Sequence, residues 1–308
     1  MAAEQNYLKP DVIRTIRRLD LKAQFIVKGF VHGLHSSPLR GFSVQFSEHR
    51  RYTPGDDPKD IDWKIFAKTD KYYVKKFEAE TNLTGWLLVD TSRSMGSLPT
   101  GVKGPAENGA EGSTKFDYAI CLSAALAYLM IQQQDPVGLL TFDQQLGRSV
   151  APKSRRSQLA SILSILTGLR PVGGTNIARA LDQTAGLLRH ASLVMVFSDL
   201  LDDQEQLFRS LNRLRHAGHD VILFHILDEA EVRFPFHGQI EFEDPESGQT
   251  LIADSDALRR EYLDEIDSFR EELRRRCAAS QIDYVPLDTS IPFDRGLTEY
   301  LIARSARQ

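Results

Sequence analysis

The pattern of hydrophobic and polar positions changes once along the chain, near residue 83. From residue 84 onward, short continuous apolar runs alternate with segments in which apolar residues recur every three or four positions. The first pattern predicts buried strands, and the second predicts amphipathic helices. The predicted strands cover residues 85–90, 137–142, 193–197, 221–227 and 282–287, and the predicted helices cover 115–133, 159–166, 176–189, 207–214 and 256–279. This alternation predicts an α/β fold: a doubly wound, mostly parallel sheet with helices on both faces.

Two of these helices carry more specific expectations. In the helix at 176–189, the spacing predicts that four apolar residues face the core: Ile177, Leu181, Leu187 and Leu188. The helix at 207–214 is expected to end near Gly218, because glycine readily adopts the left-handed conformation that terminates helices.

Residues 1–83 have a different pattern, which predicts a helix followed by β-structure. One helical face would carry five apolar residues: Leu8, Val12, Ile13, Ile16 and Leu19. Alternating apolar and polar residues at 42–47, and the segment 71–80, predict strands. We therefore predict an N-terminal helix and β-rich extension over residues 1–83, and one large α/β domain over 84–308.

Residues 229–254 interrupt the α/β alternation of the second region. Within them, residues 239–252 have the pattern of a β-hairpin around a glycine-containing turn. We expect a small insertion here, which is either a plain outgrowth or an acidic contact for a basic partner surface.

Composition narrows the class of protein without identifying a function. The chain is 42% hydrophobic and 26% charged, which excludes a disordered, collagen-like or coiled-coil protein. Its net charge of −4 indicates no general affinity for nucleic acid. Cys121 and Cys277 are far apart, which argues against a disulfide framework and favours a reducing compartment. We find no apolar run near the roughly 20 residues of a membrane span and no signal-peptide pattern, so we expect a soluble cytoplasmic protein.

Oxygen-bearing side chains lie where three segments reach the carboxyl edge of the predicted sheet. Asp90, Ser92 and Ser94 end and follow the first strand, Asp199 follows the strand at 193–197, and Thr175 opens a helix after two glycines. Ligands of doubly wound sheets bind at this edge. Mg²⁺ prefers six oxygen ligands and often retains several waters. Two carboxylates and three hydroxyls could supply most of such a shell and leave one position for a partner's carboxylate.

The combination Asp90-x-Ser92-x-Ser94 with Thr175 and Asp199 resembles the metal-ion-dependent adhesion site of von Willebrand factor A domains, over roughly residues 84–227. Upstream, the segment RRYTPGDDPKDIDW at residues 50–63 resembles the signature of the bacterial domain-of-unknown-function 58 family, in which such a region precedes a von Willebrand A-like domain. Gln45 and Lys68 stand where this family would have Glu and Arg.

The resemblance implies a non-enzymatic protein-interaction module. By resemblance, Ser92 and Ser94 bind Mg²⁺ or Mn²⁺ through their hydroxyls, Thr175 binds directly or through water, and Asp90 and Asp199 act largely through water. The cation would then bridge to an acidic side chain of a partner protein. A MoxR-type AAA+ ATPase is the implied partner, in the assembly or maturation of other proteins.

Simpler and rival explanations exist for the same residues. Aspartate and serine commonly cap helices and form turns, and Thr175 followed by Asn176 suits a helix start. An apolar strand ending in aspartate also begins haloacid-dehalogenase-type phosphohydrolases, but the second aspartate of that motif is replaced here by Ser92. We keep two alternatives: a Mg²⁺-dependent phosphohydrolase using Asp90, and a scaffold that holds no metal.

The roles of three further segments remain open. The acidic segment 56–62 lacks the glycine and glutamate of an EF-hand, so we weigh a turn and helix cap against a docking role. His32 and His35 have no nearby cysteine or carboxylate to complete a zinc site, which favours a loop. Residues 97–112 are rich in Gly and Pro, and form either a tolerated insertion or a gate beside the predicted metal.

Overall fold

The computed structural model describes residues 18–21, 23, 27, 48–51, 71–76, 84–97, 114–293 and 295. The chain divides into two compact units, of which one is Arg40–Asn82 and the other combines Met1–Leu39 with Leu83–Gln308. The predicted domain boundary near residue 83 stays a prediction. The acidic segment 56–62, the pair His32 and His35, and the strand expected at 42–47 lie outside the described residues, as do residues 98–112 of the Gly- and Pro-rich segment.

In the smaller unit, strand β1 (Glu48–Arg51) pairs antiparallel with strand β2 (Tyr73–Lys76). The register places Glu48 opposite Lys76 and Arg51 opposite Tyr73. Strand β2 lies inside the predicted strand 71–80, whereas β1 was not expected.

The larger unit contains a six-stranded sheet and a separate hairpin. Its strands are β3 (Thr84–Asp90), β4 (Val137–Phe142), β5 (Leu146–Lys153), β6 (Ser192–Ser198), β7 (Asp220–Leu227), β8 (Gln239–Glu243), β9 (Thr250–Asp254) and β10 (Asp283–Asp288). The order in the main sheet is β10-β7-β6-β3-β4-β5. Neighbouring strands in it are parallel, except that β5 runs antiparallel to β4.

Helices connect these strands and cover the sheet. They are α1 (Arg93–Gly96), α2 (Lys115–Gln132), α3 (Arg156–Gly168), α4 (Ile177–Leu187), α5 (Gln204–His216), α6 (Glu229–Arg233) and α7 (Ser255–Ala279). On one face, residues of α4, α5 and α7 share a buried cluster with Leu88 and Val196. The buried helix α2 lies on the other face, where it contacts β3, β4, β6 and β7. Met130 of α2 packs so closely on β3 that a Cβ added to Gly85 would lie 2.4 Å from Met130 Cε. The predicted α/β fold, a mostly parallel sheet with helices on both faces, is confirmed.

Most predicted elements lie within a few residues of their expected positions, but some observed elements were not predicted, and one predicted core residue is exposed. Strand β5 was not expected, because it is an edge strand whose residues are mostly exposed or half-buried and it lacks an apolar run. Leu187, predicted to face the core, is 53% exposed, because Thr184 and the partly buried Leu188 take the inward positions at this end of α4. The expected end of α5 is confirmed, since Gly218 has a φ of +84°.

At the N-terminus, the backbone is helical at residues 19–21, 23 and 27. Leu19, Ala23 and Val27 are buried there, at helical spacing. The other four residues of the predicted apolar face, at 8, 12, 13 and 16, lie outside the described residues. In the described part of the chain, no helix combines the length and the apolar character that crossing a bilayer requires.

The predicted hairpin is present, as β8 and β9 pair antiparallel with Gln239 opposite Asp254. An aromatic cluster packs it against α7. Phe242 stacks on Phe234 with ring centroids 6.0 Å apart, and Phe234 lies 4.5 Å from the ring of Tyr262 in α7. The hairpin is therefore anchored on the domain rather than extended from it.

Candidate metal site

The carboxyl ends of β3 and β6 form the switch point of the sheet. From β3 the chain leads to β4 on one side, whereas from β6 it leads to β7 on the other side. Connections that leave in opposite directions open a crevice between the two strand ends, which is where ligands of such sheets bind.

Asp90 links three segments at this crevice. It is the last residue of β3 and is fully buried. The Ser92 amide donates to Asp90 Oδ1 at 2.9 Å, and the Ser198 hydroxyl donates to Asp90 Oδ2 at 2.6 Å. The Thr175 hydroxyl donates to the same Oδ2 at 3.5 Å. The loop after β3, the end of β6 and the loop before α4 therefore meet at one carboxylate.

Backbone hydrogen bonds hold the loop after β3 against the loop before α4. The Arg93 amide donates to Gly173 O at 3.0 Å, and the Val172 amide donates to Thr91 O at 2.8 Å. Gly173 has a φ of +75°, which a residue with a side chain rarely adopts. These bonds place Thr175 beside the Asp90 carboxylate.

The serine and threonine hydroxyls are not used for helix capping. Ser92 precedes α1, but its side chain makes no capping hydrogen bond within the described structure. Instead, Ser92 Oγ lies 3.1 Å from Ser94 Oγ, and both residues are buried. The cap of α4 is Asn176, whose side chain accepts from the Arg179 amide at 2.9 Å. The helix start predicted at Thr175 and Asn176 is therefore confirmed, with Asn176 as the cap, whereas Ser92 does not cap α1 with its side chain.

Asp199 is bound to a buried lysine that the sequence analysis missed. Lys115 Nζ donates to Asp199 Oδ2 at 2.9 Å and to Glu231 Oε1 at 2.8 Å. Lys115 is the first residue of α2, whose start is set by a reciprocal cap between Thr114 and Asp117. Lys115 is the first residue of the helix predicted at 115–133, but nothing in the local pattern indicates that its ammonium group is buried.

Burial and the charges of this cluster strongly shift the pKa values of Asp90 and Lys115. Burial, followed by the negative charge of Asp199, raises the pKa of Asp90 from 3.8 to about 7. Burial by itself would lower the pKa of Lys115, but the carboxylates of Asp199 and Glu231 outweigh it and hold that pKa above its ordinary value. Lys115 therefore stays charged at neutral pH, whereas Asp90 forms no ion pair with any residue that the structure describes.

Ser198 is a second residue whose role sequence reasoning missed. Besides donating to Asp90, its hydroxyl accepts from the Leu200 amide at 3.0 Å. Buried Leu200 has a φ of +56°, a left-handed conformation that costs a non-glycine residue about 1–2 kcal/mol. The backbone of the turn after β6 is therefore locally strained at Leu200. Ser198 connects the ends of β3 and β6.

The turn of the β8–β9 hairpin also reaches the site. The Thr175 amide donates to Glu246 Oε2 at 3.1 Å, and Arg93 Nη1 donates to Pro245 O at 3.3 Å. Glu246 Oε1 is buried and has no hydrogen-bond partner among the described residues. Burial raises the pKa of Glu246 above its ordinary value, and the charge of Asp199 adds to this, although the Thr175 amide and the Ser94 hydroxyl partly offset the increase.

The donors at this site fit a hard divalent cation. In the described part of the chain, no three His, Cys, Asp or Glu side chains are grouped to hold a metal ion, so the serine and threonine hydroxyls would have to contribute. All the candidate side-chain donors are oxygens, which suit Mg²⁺ and Mn²⁺. The raised pKa of Asp90 and the unpartnered oxygen of Glu246 both indicate a place where a cation would be stabilised.

The five residues predicted from sequence lie at one edge of the sheet. Hydrogen bonds link Asp90 to Ser92 and to Thr175, and Ser92 to Ser94. Asp199 follows Ser198 directly, and its charge acts on Asp90. Their role as metal ligands stays a prediction.

Comparison with known proteins identifies relatives over most of the chain. The family described as "Protein of unknown function DUF58" matches residues 48–272. "Uncharacterized protein Rv1480" of Mycobacterium tuberculosis is 27% identical over 277 residues, which cover 89% of this chain and 80% of that protein.

Among solved structures, BatB from Bacteroides thetaiotaomicron is 14% identical, with a TM-score of 0.47, over 73% of this chain and 100% of BatB. The SpRpn10 VWA domain is 13% identical, with a TM-score of 0.37, over 70% of this chain and 94% of that domain. These similarities concern the fold alone.

Proposed function

Because the chain belongs to the DUF58 family, whose description assigns no activity, we propose a function from the site itself. The protein is a non-enzymatic interaction module that binds an acidic side chain of a partner protein through Mg²⁺ or Mn²⁺. Five residues hold this cation: Asp90, Ser92, Ser94, Thr175 and Asp199.

One observation carries this proposal, namely the meeting of three segments at the Asp90 carboxylate. Ser198 at 2.6 Å and Thr175 at 3.5 Å come from opposite sides of the switch point, and both are hydrogen-bonded to the same oxygen. A buried acid whose pKa is raised to about 7 gains most from a nearby cation, because the cation favours its charged form.

The residues of the site have two roles: some are neutral oxygen donors, and the others supply negative charge. The hydroxyls of Ser92, Ser94 and Thr175 are neutral oxygen donors that can bind a cation without adding charge. Asp90 and Asp199 supply the negative charge, and Asp90 orients Thr175 and the Ser92 backbone through hydrogen bonds, as groups around metal ligands commonly do. A bound Mg²⁺ or Mn²⁺ would supply a positive centre that attracts a partner's carboxylate.

Exposed apolar residues beside the site support a protein partner. Val172, whose amide bonds to Thr91 O, is 54% exposed. Leu201, whose amide donates to Asp199 Oδ1 at 3.4 Å, is 46% exposed. Apolar side chains around a charged centre are typical of protein-binding surfaces, where burial adds affinity and the charged contact adds specificity.

The family resemblance suggests a MoxR-type AAA+ ATPase as the partner, with the complex acting in the cytoplasm in assembly or maturation of other proteins. A direct test uses a purified MoxR-type AAA+ ATPase, immobilised for binding measurements at constant Mg²⁺. We expect Asp90→Asn to lower the affinity more than tenfold, while Ser149→Ala, at an exposed position of β5, leaves it unchanged. Equal affinities for all three proteins would contradict the proposal. Variants serve here instead of EDTA because the ATPase itself requires Mg²⁺.

The metal is tested separately by calorimetric titration of Mg²⁺. We expect binding to the wild-type chain and no binding to Asp90→Asn. Asparagine imitates the protonated carboxyl that the site already favours, so this variant should fold. Equal heats for both proteins would exclude the metal site and favour the metal-free scaffold.

The enzyme alternative predicts a different result. A phosphohydrolase would attack phosphate with the Asp90 carboxylate, yet this residue is fully buried and both of its oxygens accept hydrogen bonds. We expect no turnover of a chromogenic phosphate ester in the presence of Mg²⁺. Turnover that disappears in Asp90→Asn would favour the phosphohydrolase.

A further inference from the structure

The insertion at residues 229–254 contacts the candidate metal site at two separate points. At its start, Glu231 in α6 accepts from Lys115, the same ammonium group that binds Asp199. At the hairpin turn, Pro245 O accepts from Arg93, and Glu246 accepts from the Thr175 amide. Arg93 lies between the two candidate serine ligands, so the turn rests on both loops that carry hydroxyl donors.

The turn is ordered by its own hydrogen bonds. Asp244 Oδ1 accepts from the Glu246 amide at 2.9 Å, and Asp244 O accepts from the Gly248 amide at 2.8 Å. Below the turn, Phe242 packs edge-on against Phe236, with ring centroids 5.9 Å apart. The Glu246 side chain is therefore presented to the site from a supported turn.

The Glu246 carboxylate makes one well-formed hydrogen bond, and the Ser94 hydroxyl near it also favours its charged form. Oε2 accepts from the Thr175 amide, whereas Oε1 is buried without a hydrogen-bond partner in the described residues. A Cβ added to Gly174 would lie 3.2 Å from Oε2, so the carboxylate lies close against the glycine backbone of this loop. Leaving a buried carboxylate oxygen unpaired is unfavourable, and a cation beside it would remove that cost.

We propose that Glu246 is an intrinsic ligand of the site. Its carboxylate takes the coordination position that a partner's acidic residue would otherwise occupy, so the hairpin closes the site until Glu246 is displaced. This inference rests on the proposed metal site. It explains why an acidic insertion is packed over the carboxyl edge of the sheet, and it makes partner binding a competition between two carboxylates.

The test uses Mn²⁺ as the probe with the full chain, and four proteins are compared: wild type, Glu246→Gln, Glu243→Gln and Asp90→Asn. Electron paramagnetic resonance measures free Mn²⁺, and water-proton relaxation measures the water bound to the protein-held ion. We expect Glu246→Gln to bind Mn²⁺ about tenfold more weakly and to show higher relaxation per bound ion, because water replaces the carboxylate. Glu243→Gln, at an exposed position of the same hairpin, should match the wild type.

Acetate then serves as a stand-in for a partner's carboxylate. It should lower the relaxation of the Mn²⁺-loaded Glu246→Gln variant by displacing water, and leave the wild type unchanged. If Asp90→Asn abolishes Mn²⁺ binding while Glu246→Gln retains the wild-type affinity and relaxation, this inference is overturned and the metal site stands. If the wild type binds no Mn²⁺, both proposals are overturned.

Discussion

Ser198 donates a 2.6 Å hydrogen bond to Asp90, although the two residues are 108 positions apart in the sequence. The parallel register explains this contact, because Val89 lies opposite Phe197 and the next residues of the two strands are therefore neighbours. The bond connects the strands on either side of the switch point and sets the geometry of the crevice between them.

Replacing Ser198 with alanine tests this connection. The change leaves Asp90 Oδ2 and the Leu200 amide without their shared hydroxyl, and an unsatisfied buried polar group costs about 1–3 kcal/mol. We expect the free energy of unfolding in urea to fall by about 2 kcal/mol. The control is Ser149→Ala on the exposed edge of β5, and an equal effect of both changes would show that Ser198 has no special role.

The raised pKa of Asp90 predicts a pH dependence of stability in the metal-free protein. Its folded-state pKa of about 7 lies above the ordinary value of 3.8, so the folded protein binds an extra proton between these values. The free energy of unfolding should therefore fall as the pH rises through this window, by up to on the order of 4 kcal/mol, and then level off. Urea unfolding in EDTA from pH 5 to 8 measures it. Asp90→Asn should lack this slope, and identical slopes would contradict the assignment to Asp90.

Lys115 should be far more important for stability than a surface lysine or arginine. Lys115→Met leaves Asp199 and Glu231 without their shared cation, and removal of one partner from a buried ion pair costs about 3–5 kcal/mol. The matched control is Arg275→Met, because Arg275 pairs with Glu272 on the exposed side of α7. An exposed pair contributes about 0–1 kcal/mol. Similar losses in the two variants, measured by chemical denaturation, would contradict the buried pairing.

Thr175 and Asn176 are neighbours whose substitutions should have opposite effects. Thr175→Val removes the hydroxyl at nearly constant volume, and we expect Mn²⁺ binding to weaken about tenfold while stability changes little. Asn176→Ala removes the cap of α4, which should cost about 1 kcal/mol of stability and leave Mn²⁺ affinity unchanged. Calorimetry and thermal melting of both variants distinguish the roles, and the reverse pattern would assign Thr175 a structural role.

The sequence by itself determined the helices and strands of the α/β unit and the residues at the carboxyl ends of its strands. These features are local. A continuous apolar run predicts a buried strand, and the residue that ends it, such as Asp90, must lie at the sheet edge whatever packs around it.

The tertiary structure alone decided which of these residues meet, and what neutralises their charge. Lys115 is 84 positions from Asp199, and Glu246 is 71 positions from Thr175, so no local pattern could pair them. Whether a charged side chain is buried depends on elements that pack against it from elsewhere in the chain. The position of β5 at the edge of the sheet and the exposure of Leu187 depend on the same long-range packing. The Glu246 carboxylate of the hairpin lies beside the candidate ligand Thr175, because the hairpin turn contacts the loop after β3 and the loop before α4.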